Sequence, residues 1–185
     1  MIMMRAGKMA RIDIHHQGGA EMKKYKNMKS RSSDEFGTPE IAINCLVPYL
    51  PESWAIWECA WGNGSLAKHL SKRGYNVVGN PDWDFFTFEP EHYSCIVTNP
   101  PYSLNDEFLE RCYILDKPFA LLMPLTALEG KKRGSLYNLY GIQLIIPNKR
   151  INFITPTGEG GGAWFQTAWF TWKFNLQRDL IFVNL

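Results

Sequence analysis

The sequence is organised around residues 96–103, an apolar run that ends abruptly at two consecutive prolines in the order IVTNPPYS. Each proline fixes its own φ and pushes the preceding residue out of the helical region, so the run predicts a buried strand followed by a rigid, extended turn. Such a turn presents its side chains at the carboxyl end of a strand. In an open α/β sheet, that is the edge where ligands bind.

The residue types in this turn suit the recognition of a planar amino group. Asn99 offers a side-chain carbonyl oxygen and Pro100 a backbone carbonyl, and these two acceptors together can bind both hydrogens of an exocyclic NH2 group. Tyr102 offers a ring for stacking. Because the two acceptors draw the nitrogen lone pair out of conjugation, the amine becomes a usable nucleophile without a strong base.

A strand, a glycine-bearing turn and a helix follow one another upstream. Residues 54–59 (WAIWEC) predict a compact apolar strand with Glu58 at its end, Gly62 and Gly64 lie in the turn, and Leu66 and Leu70 begin a helical pattern. Glycines in such a turn let a ligand approach the backbone closely. The order of these elements predicts the first half of a nucleotide-binding βαβ unit.

Together, these two units resemble the class I amino-methyltransferases, enzymes that use S-adenosylmethionine (SAM) and carry an Asn-Pro-Pro-Tyr motif, here at residues 99–102. Glu58, Gly62 and Gly64 match the spacing of the SAM-binding motif of these enzymes. The resemblance extends from residue 33 to about residue 174. The order of motifs resembles most the phage-type DNA adenine N6-methyltransferases.

This resemblance implies a Rossmann-like α/β fold, with a central, mostly parallel sheet, a terminal antiparallel strand and helices on both faces. It implies an enzyme that transfers a methyl group from SAM to N6 of adenine in DNA and uses no metal ion. The implied catalytic residues are Asn99, Pro100, Pro101 and Tyr102. The target nitrogen, bound by Asn99 and the Pro100 carbonyl, attacks the methyl group while Tyr102 stacks on the base.

The resemblance also implies which residues bind the cofactor. Glu58 balances the positive groups of SAM, and the turn after it lies beside the methionine part and the ribose. The acidic residue that would bind the ribose hydroxyls is displaced in this sequence, which leaves Asn80 and Asp82 as alternatives. Asp84 and Phe85 match the element that reads the adenine ring. The implied cofactor-binding residues are Thr38, Pro39, Glu58, Ala60, Gly62, Gly64, Asn80, Asp82, Asp84 and Phe85.

The substrate-binding prediction combines the turn with two later segments. Residues 130–133 predict a short basic loop after a strand, where a phosphate contact is plausible. Trp164 and Phe165 follow a glycine-rich stretch that can close over a target base, whereas Trp169 and Trp172 are expected in the core. The predicted substrate-binding residues are Tyr102, Ser103, Lys131, Lys132, Trp164 and Phe165.

The remaining pattern predicts the other elements of the sheet. Thr38 as N-cap and Pro39 as first helical residue predict a helix that begins the domain, and Ser103 with Asp106 predicts a capping box for a second helix. Strands are expected at residues 75–79, 118–123, 142–146, 150–154 and 163–174.

Composition sets the expectations for the ends of the chain. Residues 1–31 contain eight Lys or Arg but only one Asp and one Glu. We therefore expect residues 1–32 to form a disordered basic tail, either a phosphate-binding segment or a solvated leader, followed by one methyltransferase domain at residues 33–185. No apolar run is long enough to cross a membrane and no signal-peptide core is present, so a cytoplasmic location is expected. The oligomeric state stays open.

Several alternatives share part of this pattern. An RNA adenine-N6 or guanine-N2 methyltransferase shares every motif, and a protein-glutamine methyltransferase shares the Asn-Pro-Pro-Tyr turn but usually carries an additional N-terminal helical domain. A non-catalytic nucleic-acid-binding relative is also compatible, because the ribose acid is displaced. The four widely spaced cysteines indicate buried thiols rather than a zinc site or disulfides.

Overall fold

The computed structural model of the protein describes residues 37–154 and 165–185. The predicted basic tail and Trp164 lie outside these residues. Within them the chain forms four α-helices and seven strands. The helices are α1 (Glu40–Leu46), α2 (Ser65–Ser71), α3 (Asn105–Ile114) and α4 (Lys131–Tyr140). The strands are β1 (Ala55–Trp57), β2 (Asn76–Val78), β3 (Cys95–Thr98), β4 (Phe119–Pro124), β5 (Gln143–Pro147), β6 (Thr167–Trp172) and β7 (Leu180–Val183).

The seven strands form one sheet in the order β2-β1-β3-β4-β6-β5-β7. Strands β2, β1, β3 and β4 pair in parallel, β6 is antiparallel to both of its neighbours, and β7 pairs in parallel with β5. The predicted α/β class, with a mostly parallel sheet, is confirmed. The antiparallel strand β6 lies inside the sheet, because it pairs with β4 on one side and with β5 on the other. Strand β7 forms the edge beyond β5, and the sequence analysis did not predict it.

Helices cover both faces of the sheet, as predicted. Side chains of β3 and β4 alternate between the two faces, because successive residues of a strand point in opposite directions. Ile96 and Leu121 pack on the side of α3 and α4, whereas Val97 and Leu122 pack on the side of α1 and α2. Burial on both faces explains why these strands are continuous apolar runs in the sequence.

Two tryptophans of β6 join the sheet to its helices, and of these two Trp169 has the predicted core position. Trp169 is fully buried, and its Nε1 donates a hydrogen bond to the carbonyl of Ala42 in α1 at 2.8 Å. Trp172 is half-buried on the other face and donates to the carbonyl of Tyr140, at the end of α4, at 2.9 Å. Both indole donors are therefore satisfied where they pack.

The strand topology brings several loops to one edge of the sheet. Strands β1 to β5 all run in the same direction, so their carboxyl ends share this edge, and β6 begins there because Pro124 pairs with Thr167. The backbone N–H of Leu125 donates to the carbonyl of Gln166 at 2.9 Å, which joins the loop after β4 to the residues before β6. We call this side of the sheet the carboxyl edge.

The prediction of a strand at residues 150–154 is wrong. In this segment only Ile154 forms a bridge, and its partner is Gly37, with hydrogen bonds of 2.8 and 3.0 Å in the two directions. Ile151 and Phe153 are buried while Asn152 is exposed. The segment thus has the alternating burial of a strand, which explains the prediction, but it crosses the carboxyl edge without joining the sheet.

Both predicted helix caps are also wrong. The N-cap of α1 is Pro39, which is extended and provides no side-chain cap, while Thr38 is buried. A 3-10 helix, Tyr102–Leu104, precedes α3, whose N-cap is Leu104. In each case the chain enters the helix from a rigid proline segment, so the first turn is oriented without a capping hydroxyl.

The predicted basic loop at residues 130–133 is in fact the first turn of α4, with Gly130 as its N-cap. The Arg133 guanidinium donates to the carbonyls of Ala127 and Glu129, both at 2.8 Å, and pairs with Asp106 of α3. These bonds fasten the turn to its surroundings. The sequence pattern missed them because Asp106 is distant in the chain.

Gly79 provides a test of how closely β1 and β2 approach at the carboxyl edge. A Cβ at this position would lie 2.6 Å from the carbonyl oxygen of Glu58 and 2.6 Å from the Trp61 ring. We expect Gly79→Ala to lower the free energy of unfolding by about 1–3 kcal/mol, since backbone must move to admit the methyl group. Urea unfolding measures the change.

Gly134→Ala is the matched control. Gly134 lies inside α4, and nothing would contact its Cβ within 4 Å. Alanine should raise the stability there by about 0.5–1 kcal/mol, because glycine loses more backbone entropy in a helix. An equal effect of both substitutions would contradict the close approach at Gly79.

Candidate functional site at the carboxyl edge

The carboxyl of Glu58 lies at the end of β1 and is only 2% exposed. The Thr98 hydroxyl donates to Oε1 of Glu58 at 2.5 Å, and the Ala60 backbone N–H donates to the same oxygen at 3.0 Å. The Ala60 N–H also lies 3.2 Å from Oγ1 of Thr98. These contacts tie the ends of the adjacent strands β1 and β3 together.

Burial raises the pKa of Glu58 to about 8, and the hydrogen bonds from Thr98 and Ala60 only partly oppose this shift. Among the residues that the structure describes, no Lys or Arg forms an ion pair with this carboxyl. A buried carboxylate without a positive partner is costly, so the group is protonated near neutral pH. A cationic ligand beside it would reverse that cost.

The turn after β1 exposes backbone next to Glu58. Gly62 and Gly64 have φ values of 51° and 73°, which glycine adopts without strain. Asn63 accepts the N–H of Ser65 at 3.0 Å and so closes the turn onto α2. A Cβ on Gly37 would lie 2.9 Å from Nδ2 of Asn63. The structure therefore places Gly37 against this turn, while the Thr38 side chain is buried.

The loop after β2 distinguishes Asn80 from Asp82. The side-chain oxygen of Asn80 accepts the backbone N–H of Asp82 at 2.8 Å, so this oxygen is engaged in a local turn. Asp82 is exposed, and no described residue forms an ion pair with its carboxylate. Of these two residues, Asp82 is therefore the one whose side-chain oxygens are available to a ligand.

Asp84 and Phe85 occupy different environments. Asp84 is exposed and accepts the N–H of Phe86 with Oδ1 at 2.9 Å. Phe85 is 3% exposed, and its ring stacks on Phe108 with centroids 4.5 Å apart. The ring of Phe85 therefore belongs to the core. Its predicted cofactor contact can involve only the backbone.

The Asn-Pro-Pro-Tyr turn follows β3 directly. Oδ1 of Asn99 is buried, and it has no hydrogen-bond partner among the described residues. Among the backbone N–H groups of the described turns and loops, none donates to the Pro100 carbonyl. A buried acceptor without a partner costs about 1–3 kcal/mol, so this arrangement indicates a site for a ligand with two donors.

Other polar atoms near the turn share this condition. Oδ1 of Asn105, the first residue of α3, and Oγ1 of Thr167, the first residue of β6, are buried without a partner in the described ranges. Both elements begin at the carboxyl edge. The unsatisfied acceptors thus concentrate where β3, α3 and β6 meet.

Aromatic rings line the approach to the turn. The Tyr102 ring lies edge-on to Phe165 with centroids 5.4 Å apart, and to Phe153 at 6.3 Å. The predicted pair Tyr102 and Phe165 is therefore brought together. Phe153, which is buried, was not predicted for the site. Phe153 alternates with the polar Asn152 as residues of a sheet strand do. The sequence pattern therefore did not distinguish a strand residue from a residue of the site.

Thr98 is the other residue that the sequence analysis missed. It is completely buried, and its hydroxyl contacts Glu58 while the next residue in the chain is Asn99. The Thr98 hydroxyl therefore connects Glu58 with the end of the strand that leads to Asn99. The signal was present in its position immediately before the motif, but a threonine inside an apolar strand is ordinarily a packing residue.

The predicted lysines differ in their contacts. Lys132 forms an ion pair with Glu110 at 3.1 Å, whereas Lys131 is exposed and forms no ion pair in the described part of the chain. Ser103 is exposed in the 3-10 helix. Lys131 is therefore the better placed of the two lysines to contact a soluble anion.

Three further features of the described residues concern metal-binding clusters, disulfides and membrane-spanning helices. In residues 37–154 and 165–185, no group of three or more His, Cys, Asp or Glu side chains is arranged to bind a metal ion. All four cysteines are buried free thiols. No helix of the described part is long and apolar enough to cross a membrane.

An open groove of about 680 Å³ lies elsewhere, lined by Pro48, Phe174 and the residues that lead into β7. Phe174 follows the end of the antiparallel β6, and Leu180 begins β7. Both positions lie at the edge of the sheet opposite to the carboxyl edge. The groove is therefore separate from the site of Glu58 and Asn99.

Comparison with known proteins identifies the fold. No protein-family model matches the chain, and no curated protein matches it. A Listeria monocytogenes protein assigned to the class I SAM-dependent methyltransferases has a similar structure, with 11% sequence identity and a TM-score of 0.51 over 90% of this chain and 70% of that one. The likeness shows that the chain has the Rossmann-like fold of that class.

A dimethyladenosine transferase from Plasmodium falciparum is also similar, with 12% identity and a TM-score of 0.45. The match covers 74% of this chain and 62% of that one, so the chain spans less than two thirds of the Plasmodium protein.

The buried state of Glu58 predicts how stability depends on pH. The pKa of Glu58 is about 8 in the folded protein and roughly 4.3 in an unfolded chain, so the folded state binds the proton more tightly. The contribution of this group to stability therefore falls as the pH rises from 5 to 8. We expect Glu58→Gln to lose less stability over this range than the wild type, as measured by urea unfolding.

Glu91→Gln is the control, because Glu91 is exposed. This variant should follow the wild-type pH dependence. Identical pH dependence in wild type and Glu58→Gln would mean that the Glu58 carboxyl ionises normally, contrary to its burial.

Proposed function

We propose that the protein is a SAM-dependent methyltransferase whose target is an exocyclic amino group of a nucleic-acid base, N6 of adenine in DNA. One observation carries the proposal. A buried carboxyl and a buried amide oxygen, neither of which has a counter-ion or a hydrogen-bond partner to satisfy it fully among the described residues, lie at the ends of two adjacent parallel strands, joined through Thr98. The first suits a cation and the second suits an NH2 group.

The carboxyl groups that follow β1 and β2 fit SAM in charge. Glu58 and Asp82 provide carboxylates for its positive groups and for its ribose hydroxyls, and Asp84 has a second carboxylate oxygen for the adenine amino group. In the turn that follows Glu58, Gly62 is exposed, whereas the Trp61 ring packs against Gly64. When bound, SAM supplies an electrophilic methyl group.

The residues of the Asn-Pro-Pro-Tyr turn fit the amine. Oδ1 of Asn99 and the Pro100 carbonyl accept hydrogen bonds from the two N–H groups of an exocyclic amino group. These hydrogen bonds orient the nitrogen lone pair away from the base. Pro100 and Pro101 restrict the backbone, so that the two acceptors keep their positions before the amine arrives. Such positioning is worth several kcal/mol of the barrier, and no covalent intermediate is needed.

The aromatic rings around the turn support a base as the substrate. Tyr102 and Phe165 lie 5.4 Å apart and edge-on, so a planar base can stack on one ring with its edge toward the other. A base inside a duplex cannot reach such a turn unless it leaves the stack, and stacking walls compensate part of that cost. DNA as the nucleic acid and adenine as the target base are the more specific parts of this proposal.

Nucleoside analysis tests the function as a whole. The protein is incubated with methyl-labelled SAM and, separately, with duplex DNA, single-stranded DNA, RNA and a glutamine-containing protein, and the products are digested and analysed by mass spectrometry. We expect N6-methyldeoxyadenosine. Label found only in RNA would overturn the choice of DNA, label in glutamine would overturn a base as the target, and the absence of label in every substrate would overturn methyl transfer.

Asn99→Ala tests the amine side of the site. The substitution removes one of the two acceptors, and we expect methyl transfer to fall at least a hundredfold while the affinity for SAM stays within about threefold, because Asn99 contacts the target amine rather than the cofactor. Single-turnover rates and calorimetry measure the two quantities. Asn152→Ala, an exposed asparagine of the same edge, is the control and should match the wild type. Full turnover by Asn99→Ala would refute the assigned role.

Glu58 tests the cofactor side through proton linkage. Since the pKa of Glu58 is about 8 in the free protein, binding of a cation that requires the carboxylate must displace its proton. We expect the affinity for SAM to rise with pH between 5.5 and 7.5, by up to about tenfold per pH unit. Glu58→Gln should bind more weakly and without this pH dependence in calorimetric titrations. A pH-independent wild type would exclude Glu58 from the site.

A further inference from the structure

We propose that the turn after β5, formed by Asn148, Lys149 and Arg150, binds the phosphodiester backbone of the polynucleotide next to the target base. We call these three residues the basic turn. This inference rests on the proposed function, because it assumes that the target base is part of a polymer. It assigns the polymer contact to residues that lie outside the motifs.

The topology places the basic turn beside the base-binding rings. Strand β5 runs in the same direction as β4, so its carboxyl end lies at the carboxyl edge. The chain then continues from Arg150 to Phe153, whose ring is 6.3 Å from Tyr102. Three residues of extended chain span at most about 10 Å. The basic turn is therefore within the reach of a nucleotide that flanks a base bound at Tyr102.

The cations of the basic turn are available for a ligand. Lys149 and Arg150 are both exposed, and neither forms an ion pair in the described part of the chain. By contrast, Lys132 and Arg133 of the same edge are paired with Glu110 and Asp106. An incoming phosphate therefore need not displace a carboxylate from the basic turn.

The backbone of the basic turn is fixed at both ends. Asn148 donates its N–H to the Val183 carbonyl at 2.8 Å, its amide donates to the Asn184 side chain at 3.0 Å, and its amide oxygen accepts the Leu185 N–H at 3.0 Å. On the other side, Ile151 is 1% exposed. The chain order then fixes where Lys149 and Arg150 emerge, so little backbone freedom is lost on binding.

Charge divides the carboxyl edge into two halves. The exposed Asp82 and Asp84 follow β2, whereas Lys149 and Arg150 follow β5. Lys131 follows β4, after the exposed Glu129. The acidic half suits a cationic donor and repels a polyanion. The basic half attracts the polyanion, and a guanidinium such as that of Arg150 can bind a phosphate through two hydrogen bonds. Such contacts position the polymer without reading its sequence.

The test compares two double variants with the same loss of charge. The first variant, Lys149→Gln with Arg150→Gln, removes both charges of the basic turn. The second, Lys68→Gln with Lys72→Gln, removes one exposed lysine of α2 and one directly after it. Helix α2 leads away from the carboxyl edge. Affinities for one sequence, as duplex DNA, single-stranded DNA and RNA, are measured by fluorescence anisotropy between 50 and 200 mM salt. Calorimetric affinity for SAM and melting temperature show that each variant keeps its fold.

Each lost phosphate contact lowers the slope of log affinity against log salt by about 0.9 on duplex DNA and about 0.7 on a single strand. We expect the basic-turn variant to lose one to two such contacts and at least tenfold in affinity. The control should stay within about twofold, and both should bind SAM as the wild type does. The polymer with the largest loss identifies the source of the phosphates.

Equal slopes in the basic-turn variant and the control would overturn the inference. If the wild type binds a polynucleotide through the basic turn but methylates none, the proposed function fails while the inference stands. If methyl transfer occurs and the slopes are equal, the inference alone fails. A wild type that binds none of the polymers overturns both.

Discussion

The site depends on one hydrogen bond, from the Thr98 hydroxyl to the Glu58 carboxyl, at the point where β1 and β3 end. It joins two strands that are adjacent in the sheet but separated by 40 residues in the chain. Because Ala60 donates to the same pair of oxygens, the backbone after β1 is fixed relative to the backbone before Asn99. The geometry of a two-part site is thus set by buried polar contacts inside an otherwise apolar sheet.

The buried polar groups of the site have an electrostatic cost in the free protein, and a bound ligand can relieve it. Burial that raises the pKa of Glu58 disfavours its charged form, and the described residues provide no cation to compensate. Asn99 leaves an acceptor buried without a described partner. Both conditions reduce the stability of the free protein, and both are relieved by a ligand with a positive charge and an amino group. Such unrelieved polar groups are typical of binding sites rather than of packing.

The sequence predicted those parts of the molecule that depend on local chemistry. The strand and turn at residues 96–103, the glycine turn and the core position of Trp169 follow from residue type and spacing. What it missed depends on contacts between distant residues. Ile151 and Phe153 alternate in burial like a strand but belong to a segment outside the sheet, Phe85 stacks on Phe108 in the core, and Arg133 joins α4 to Asp106. The position of Thr98 before the motif did not reveal its role, because its partner Glu58 is 40 residues away in the chain.

A crystal structure with S-adenosylhomocysteine, the demethylated form of the proposed donor, tests the central claim most directly. The account predicts that the ligand lies along the carboxyl edge, with its amino group beside Glu58, its adenine beside Asp84 and its sulfur directed toward Asn99. A ligand bound in the groove beside β7, or one whose sulfur is separated from Asn99 by packed side chains, would contradict it.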